Sequence, residues 1–174
     1  QQVLSLEAGG TSAALQPKVI GYSGSGKELD IPETVQGHVV TRAAPFAFSR
    51  QRQITAVSIP DTVDSIGQEA FYICPSLQQL KLPARLKIIG KNAFNYCRAL
   101  KSVIVPTGTI HIDRHAFYDC TALKTISIPD TVGFMGEKVF GADGNAKVEC
   151  TIVCRQDPYV EHYAKENGIL CSFV

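Results

Sequence analysis

The residues with the greatest capacity for chemistry in this 174-residue chain are its six cysteines and four histidines. Cys74, Cys97 and Cys120 recur at an interval of 23 residues. Zinc sites need ligands that converge tetrahedrally, often from Cys-x-x-Cys pairs. The sequence has no such pair, and residues at one position of a repeat form a row. We therefore interpret the three cysteines as small buried apolar residues, and we predict neither a metal nor a cofactor.

The segment from His111 to His115 is the local cluster that most resembles a metal site in composition. Alternate residues of a strand face opposite sides, so Ile112 would face the interior while His111 and Asp113 face solvent. A solvated polar segment accounts for this pattern better than a ligand set. The Gly/Ser run at 21–26 lacks the strand–turn–helix context of a nucleophile elbow or a phosphate loop. We expect no enzyme.

The elements that position these residues are set by an internal repeat of 23 residues. Repeats of roughly 20–50 residues indicate solenoids, in which each coil buries its apolar side against the next. Several positions keep this period: Pro60, Pro83, Pro106 and Pro129; Phe48, Phe71, Phe94, Phe117 and Phe140; and Leu77, Leu100 and Leu123.

Each repeat begins with Leu-x-x-Leu-x-Leu, and its alternate apolar residues predict a short strand. Proline then ends the strand because it has no N–H for a ladder. A Val/Leu-x-x-Ile-Gly segment, such as Leu86 to Gly90, predicts a second short strand, and we interpret its glycine as permitting a tight corner. An Ala-Phe pair then turns the chain inward, and the Phe is predicted to fill the centre of the coil.

The consensus Ile-x-Ile-Pro-x-x-Val-x-x-Ile-Gly-x-x-Ala-Phe-x-x-Cys-x-x-Leu resembles the BspA-like leucine-rich repeats of bacterial surface and secreted proteins. The resemblance implies an α/β solenoid of mainly short parallel β-strands. We expect a right-handed superhelix of about five 23-residue coils with a cap at each end. The expected divisions are N-terminal entry strands over 1–30, repeats over 31–145, and a strand–helix–strand cap over 146–174.

Two segments depart from the regular pattern. Pro32 and Pro60 are 28 residues apart rather than 23, which indicates an insertion in the first coil. Near the other end, Asp157 and Pro158 are typical of a helix N-cap and first helical residue, and Asn167 is typical of a helix stop. A short helix between two strands would close the exposed end of the solenoid.

Cys154 and Cys171 fall outside the repeat, in the segment that resembles the family's cap. If the strands that carry them pair, their sulfurs come within disulfide reach. The resemblance implies an extracellular or cell-surface location, which would permit the bond. We therefore expect a disulfide between them. The first residues of the sequence lack the basic start and apolar core of a signal peptide, so the extracellular location is an expectation from the resemblance alone.

The outward-facing residues of the Leu-x-x-Leu-x-Leu strands are predicted to line one continuous sheet face. Small polar side chains with few charges could accept a protein ligand, such as an extracellular-matrix, serum or bacterial-surface protein. The alternative is a face that only keeps the solenoid soluble. The predicted binding residues are Ser58, Gln79, Lys81, Ser102, Ile104, Thr125 and Ser127.

A second candidate surface is the Ala-Phe corner, where Tyr72, Tyr96 and Tyr118 add aromatic area. Interfaces are enriched in tyrosine. A tyrosine beside a core Phe, however, is also typical of structural packing, and the sequence leaves both interpretations open.

Composition restricts the class of partner. The net charge of +1 gives no electrostatic reason to expect nucleic acid. No window approaches the ~18 apolar residues of a membrane span. The resemblance to the BspA-like repeats, together with the open and repetitive surface of a solenoid, implies a non-catalytic protein-binding module that adheres to host or neighbouring-cell proteins, and we expect it to be a monomer. The alternative is a structural spacer without a ligand of its own.

Overall fold

The computed structural model describes residues 3–7, 18–143 and 149–174, which form a parallel-strand solenoid with one short helix in the described part. The helix α1 spans Pro158–Glu166. The strands, in chain order, are β1 (Val3–Glu7), β2 (Lys18–Ser23), β3 (Glu28–Asp30), β4 (Thr34–Val35), β5 (His38–Val39), β6 (Arg42–Ala43), β7 (Ala56–Ser58), β8 (Ser65–Ile66), β9 (Gln79–Lys81), β10 (Ile88–Ile89), β11 (Ser102–Ile104), β12 (His111–Ile112), β13 (Phe117–Tyr118), β14 (Thr125–Ser127), β15 (Phe134–Met135), β16 (Phe140–Gly141), β17 (Thr151–Cys154) and β18 (Leu170–Phe173).

Two ladders of parallel strands run along different sides of the solenoid. The Ile-Gly ladder contains β2, β6, β8, β10, β12 and β15, and β1 joins its start in antiparallel orientation. The Leu-x-x-Leu-x-Leu ladder contains β3, β7 and β9, followed by β11, β14, β17 and β18. The solenoid has about seven turns rather than the five expected, because the cap strands β17 and β18 extend the stack.

A column of phenylalanine rings forms the centre of the core, as the repeat predicts. Phe48, Phe71, Phe94, Phe117 and Phe140 are at most 4% exposed. Successive ring centroids lie 4.8, 5.2, 5.3 and 6.1 Å apart, and the ring planes are within 12° of parallel. Each coil thus buries its largest side chain against the coils on both sides, which couples neighbouring coils.

The column of Cys74, Cys97 and Cys120 lies beside these rings. Each cysteine is at most 4% exposed. Each thiol donates to the carbonyl oxygen of the core Phe in the preceding coil, at sulfur–oxygen distances of 3.3, 3.4 and 3.2 Å. Burial raises the pKa of the Cys97 and Cys120 thiols. These cysteines are therefore packing residues, as predicted.

The glycines of the Ile-Gly ladder are required for a different reason from the one predicted. Gly67, Gly90 and Gly136 do not have positive φ, so a tight corner does not explain them. A Cβ at Gly90 would lie 2.8 Å from backbone atoms of the preceding coil, and a Cβ at Gly136 would lie 2.2 Å from Arg114 N. Close approach of neighbouring coils excludes a side chain at these positions.

Both irregular segments have a simple structure. The insertion in the first coil is the antiparallel pair of β4 and β5, joined through Gln36 and Gly37 with φ of 52° and 78°. In the cap, Asp157 accepts from the backbone N–H groups of Tyr159 and Val160, which confirms it as the N-cap of α1. No helix in the described residues is long and apolar enough to cross a membrane.

Candidate functional site

The predicted binding residues lie side by side on the outer surface of the Leu-x-x-Leu-x-Leu ladder. The parallel register places Ser58 opposite Lys81, and Ile104 opposite Ser127. Five of the seven predicted residues are exposed, Ser58 and Ser127 are half-buried, and Ile104 is 75% exposed. We call this surface, formed by the outward-facing residues of β7, β9, β11 and β14, the sheet face.

Three shallow clefts follow one another along the sheet face. The central cleft has a volume of about 500 Å³ and is lined by Gln79, Lys81, Ser102 and Ile104, among others. A cleft of about 360 Å³ lies on the N-terminal side around Ser58. The third, of about 340 Å³, is lined by Ile104 and Ser127. Six of the seven predicted residues therefore line clefts, whereas Thr125 lies on the sheet face outside them.

The central cleft lies where the ladder is interrupted. Strands β9 and β11 are neighbours in the stack, but they belong to separate sheets. Elsewhere the residue after each strand donates to the next coil, as Ile59 N does to Lys81 O at 3.1 Å. Leu82 N has no corresponding bond to Ile104 O. One coil-to-coil boundary of the sheet face is therefore open.

The interruption coincides with a change of residue type in the third coil. Leu80 is half-buried and Leu82 is 8% exposed, whereas the matching inward-facing residues of the adjoining coils are at most 3% exposed. β-branched side chains suit the pleated surface of a strand better than Leu does. The two adjoining coils carry β-branched residues at these positions: Val57, Ile59, Val103 and Val105. Leu29 occupies the position of Leu80 in β3, yet it is 1% exposed and pairs with Val57 in an unbroken ladder, so leucine alone does not account for the interruption.

Lys81 is the positively charged side chain that lines the central cleft. No carboxylate lies within ion-pair distance of it in the described part of the chain. Asp61, on the same cleft, accepts from Ala84 N at 2.7 Å. The third cleft has a compensated charge instead, because Arg155 lies 3.8 Å from Asp130. Among the described residues, the central cleft therefore holds one cation without an ion-pair partner, Lys81, and one carboxylate, Asp61, that is hydrogen-bonded to the backbone.

The tyrosines of the second candidate surface are half-buried and contact one another or a carboxylate. The hydroxyl groups of Tyr96 and Tyr118 both donate to Asp143, and Tyr72 packs edge-on against Tyr96 with ring centroids 5.8 Å apart. The hydrogen bond to Asp143, aided by partial desolvation, raises the pKa of Tyr96 to about 12. This arrangement fits structural packing at the corner.

The histidine cluster has the predicted orientation. Ile112 is fully buried, whereas His111 is partly exposed and stacks on Phe134 with ring centroids 4.4 Å apart. Among the described residues, no group of three or more His, Cys, Asp or Glu is arranged to hold a metal ion. His111, Phe134 and Ile88 together form an apolar patch on the Ile-Gly ladder, which was not predicted from the sequence.

Cys154 and Cys171 lie on adjacent parallel strands of the cap, β17 and β18. Both are thiols, and their sulfur atoms are 3.1 Å apart. Burial, together with the contact with Cys171, raises the pKa of the Cys154 thiol to about 12. The strand pairing that was the condition for a disulfide is therefore present.

The sequence profile described as the BspA type Leucine rich repeat region matches residues 23–152 in six copies. The chain belongs to this family. In this BspA-type chain, the repeat forms a solenoid with a core column of phenylalanines and two parallel ladders. No curated protein matches the sequence.

Solved structures of bacterial leucine-rich repeat proteins are similar to the BspA-type chain. A leucine-rich cell surface protein from Faecalibacterium prausnitzii is 27% identical with a TM-score of 0.64, and the match covers 84% of this chain and 41% of that one. A leucine-rich repeat protein from Bacteroides capillosus is 32% identical with a TM-score of 0.58, covering 64% of this chain and 85% of that one. The pneumococcal vaccine antigen PcpA, 14% identical with a TM-score of 0.72, covers 90% of this chain and 44% of that one, and shows the shared fold. The chain thus spans less than half the length of the first and third of these proteins.

Proposed function

We propose that this BspA-type chain is a non-catalytic protein-binding module at a bacterial cell surface or outside the cell, and that the sheet face is its contact surface. The observation that carries the proposal is the row of three clefts along one ladder, lined by six of the residues that sequence alone predicted. The similarity to a named leucine-rich cell surface protein supports the location. We infer adhesion to host or neighbouring-cell proteins, with the chain acting as a monomer.

The chemistry of the sheet face suits a protein partner. Its centre combines the aliphatic Ile104, which is 75% exposed, with the uncompensated Lys81 and the neutral polar Gln79 and Ser102. Specific interfaces combine an apolar centre with a polar rim. An exposed aliphatic side chain in a cleft is therefore placed as an anchor for a partner.

Binding is tested first with the immobilised chain against a panel of extracellular-matrix, serum and bacterial-surface proteins at physiological salt. We expect saturable binding of at least one of them that soluble chain competes. Silence across the panel would favour the structural spacer instead. The spacer has one observation in its favour: this chain corresponds to 41% of the larger cell surface protein that it resembles.

Charge reversal on the sheet face is expected to weaken binding of that partner by at least about tenfold. The variant carries Lys81→Glu, Ile104→Glu and Ser127→Glu, which remove the apolar anchor and reverse the exposed charge. Surface plasmon resonance measures the affinity, and circular dichroism verifies that the fold is retained.

The matched control places three glutamates on the other ladder, at Ser65, Ile88 and His111, which lie in register on the outer surface. This control variant should bind like the wild type. The sheet face is excluded as the contact surface if the control loses binding while the charge-reversed variant keeps it.

We also propose that Cys154 and Cys171 form a disulfide under oxidising conditions, which joins the last two strands of the cap. Peptide mapping of oxidised, unreduced protein should recover the two cysteines as one cross-linked peptide. Closing a loop of this length is expected to stabilise the cap by about 3 kcal/mol. A Cys171→Ser variant provides the control, since its stability should not respond to oxidant. Recovery of both thiols free after oxidation would refute the bond.

A further inference from the structure

The open boundary between β9 and β11 carries chemistry that the rest of the sheet face lacks. In the regular pattern Leu82 N would donate to Ile104 O across this boundary, and Ser102 N would donate to Gln78 O; neither bond is present. The four residues that would make these bonds all line the cleft of about 500 Å³, and β9 and β11 belong to separate sheets.

The lining of this cleft is apolar around those backbone groups. Leu80, Leu82, Ala84, Ile104 and Pro106 all contribute to it. Leu80 is half-buried, although it stands where the neighbouring coils place a buried Val. Burying apolar area is favourable, so an apolar side chain that enters the cleft would be stabilised there.

We propose that the cleft between β9 and β11 binds an extended peptide segment of the partner, in which an apolar side chain is followed by an acidic one. The inference rests on the proposed function and names the element of the partner that is recognised. The apolar side chain lies between β9 and β11, against Leu80 and Ile104. The carboxylate lies at Lys81.

The unbonded backbone groups, the apolar lining and the charge of Lys81 together select this occupant. A peptide main chain supplies both N–H and C=O groups, which the unbonded groups of Leu82 and Ile104 can satisfy, as in recognition by strand addition. The apolar lining selects the inserted side chain. Lys81 has no carboxylate partner in the described residues, so it favours an acid over a base beside that side chain. A basic peptide would place like charges together.

The test uses short capped peptides with a central Phe-Glu, Ala-Glu or Phe-Lys pair in an otherwise identical Ser/Thr background. Backbone amide resonances of the folded chain are followed during titration. The Phe-Glu peptide should shift the resonances of Leu82 and Ser102 saturably. The Ala-Glu and Phe-Lys peptides should bind at least about tenfold more weakly.

A charge exchange provides the matched variant. Lys81→Glu should reverse the preference and favour the Phe-Lys peptide, whereas Lys124→Glu, at the residue before β14 and outside the cleft, should keep the preference of the wild type. Equal binding of all three peptides, or shifts that spare the amides of Leu82 and Ser102, would overturn the inference. If the peptides fail while a panel protein binds the sheet face, this inference falls and the proposed function stands. If the peptides bind and no panel protein does, adhesion to proteins of the panel falls, whereas peptide recognition at the cleft stands.

Discussion

Replacing Phe94 by Ala is expected to lower the free energy of unfolding by about 3–5 kcal/mol. Phe94 is fully buried, and its ring is stacked between Phe71 at 5.2 Å and Phe117 at 5.3 Å. The substitution removes contacts with two neighbouring coils at once, so the cavity lies at the middle of the solenoid, where stability depends on coupling between coils. Urea denaturation followed by circular dichroism measures the change.

Phe134→Ala is the matched control for this prediction. Phe134 is 45% exposed on the outside of the Ile-Gly ladder, where it stacks on His111. Its loss should cost less than about 1 kcal/mol, because little buried area disappears. Equal losses for the two variants would contradict the view that the phenylalanine column is the core that holds the coils together.

Gly136→Ala is expected to destabilise the chain by about 3 kcal/mol, although it adds a single methyl group. That group would lie 2.2 Å from Arg114 N and 2.7 Å from Arg114 Cα in the preceding coil. Both are backbone atoms. Gly136 N also donates to Ile112 O at 2.9 Å, so a hydrogen bond joins the two coils at this point. Relief of the overlap requires the coils to move apart, which breaks the ladder. Thermal unfolding measures the loss.

Gly133→Ala, in the same coil, isolates this cause. A Cβ at Gly133 meets no heavy atom within 4 Å, and its φ is not positive. The stability of this variant should change by less than about 0.5 kcal/mol. A loss at Gly133 as large as that at Gly136 would show that general glycine-to-alanine effects, rather than coil-to-coil contact, determine the outcome.

The fold was predictable because the same physical requirement recurs in successive repeats of the sequence. The Phe column, the Cys column and the strand that ends at each proline recur at 23-residue spacing, and each was found where predicted. The helix boundaries followed from the local chemistry of Asp157, Pro158 and Asn167. The number of turns was underestimated, because terminal coils have atypical sequences and escape a count of consensus positions.

The backbone conformation of the Ala-Phe corner could not be predicted from residue type. The residue two before each core Phe has φ between 47° and 62°, yet Glu69, Asn92 and His115 occupy this position rather than glycine. These residues are held by bonds between coils, as Glu69 N donates to Lys91 O at 2.9 Å. A conformation fixed by the neighbouring coil leaves no local signature in the sequence.

The candidate site was predictable as a surface but not as a shape. Strand alternation alone placed Gln79, Lys81, Ser102 and Ile104 outward. It gave no reason to expect the break between β9 and β11, because Leu29 at the matching position of β3 lies in an unbroken ladder. The break becomes apparent only when the coils are stacked.

The most direct test of the account is hydroxyl-radical footprinting of the chain alone and in complex with its partner. Ile104 on the sheet face is 75% exposed, whereas Ile88 and Phe134 on the other ladder are 42% and 45% exposed, so all three are available for oxidation in the free chain. We expect the partner to protect Ile104 and to leave the oxidation of Ile88 and Phe134 unchanged. Protection of Ile88 and Phe134 with Ile104 unaffected would contradict it, and would place the contact on the Ile-Gly ladder.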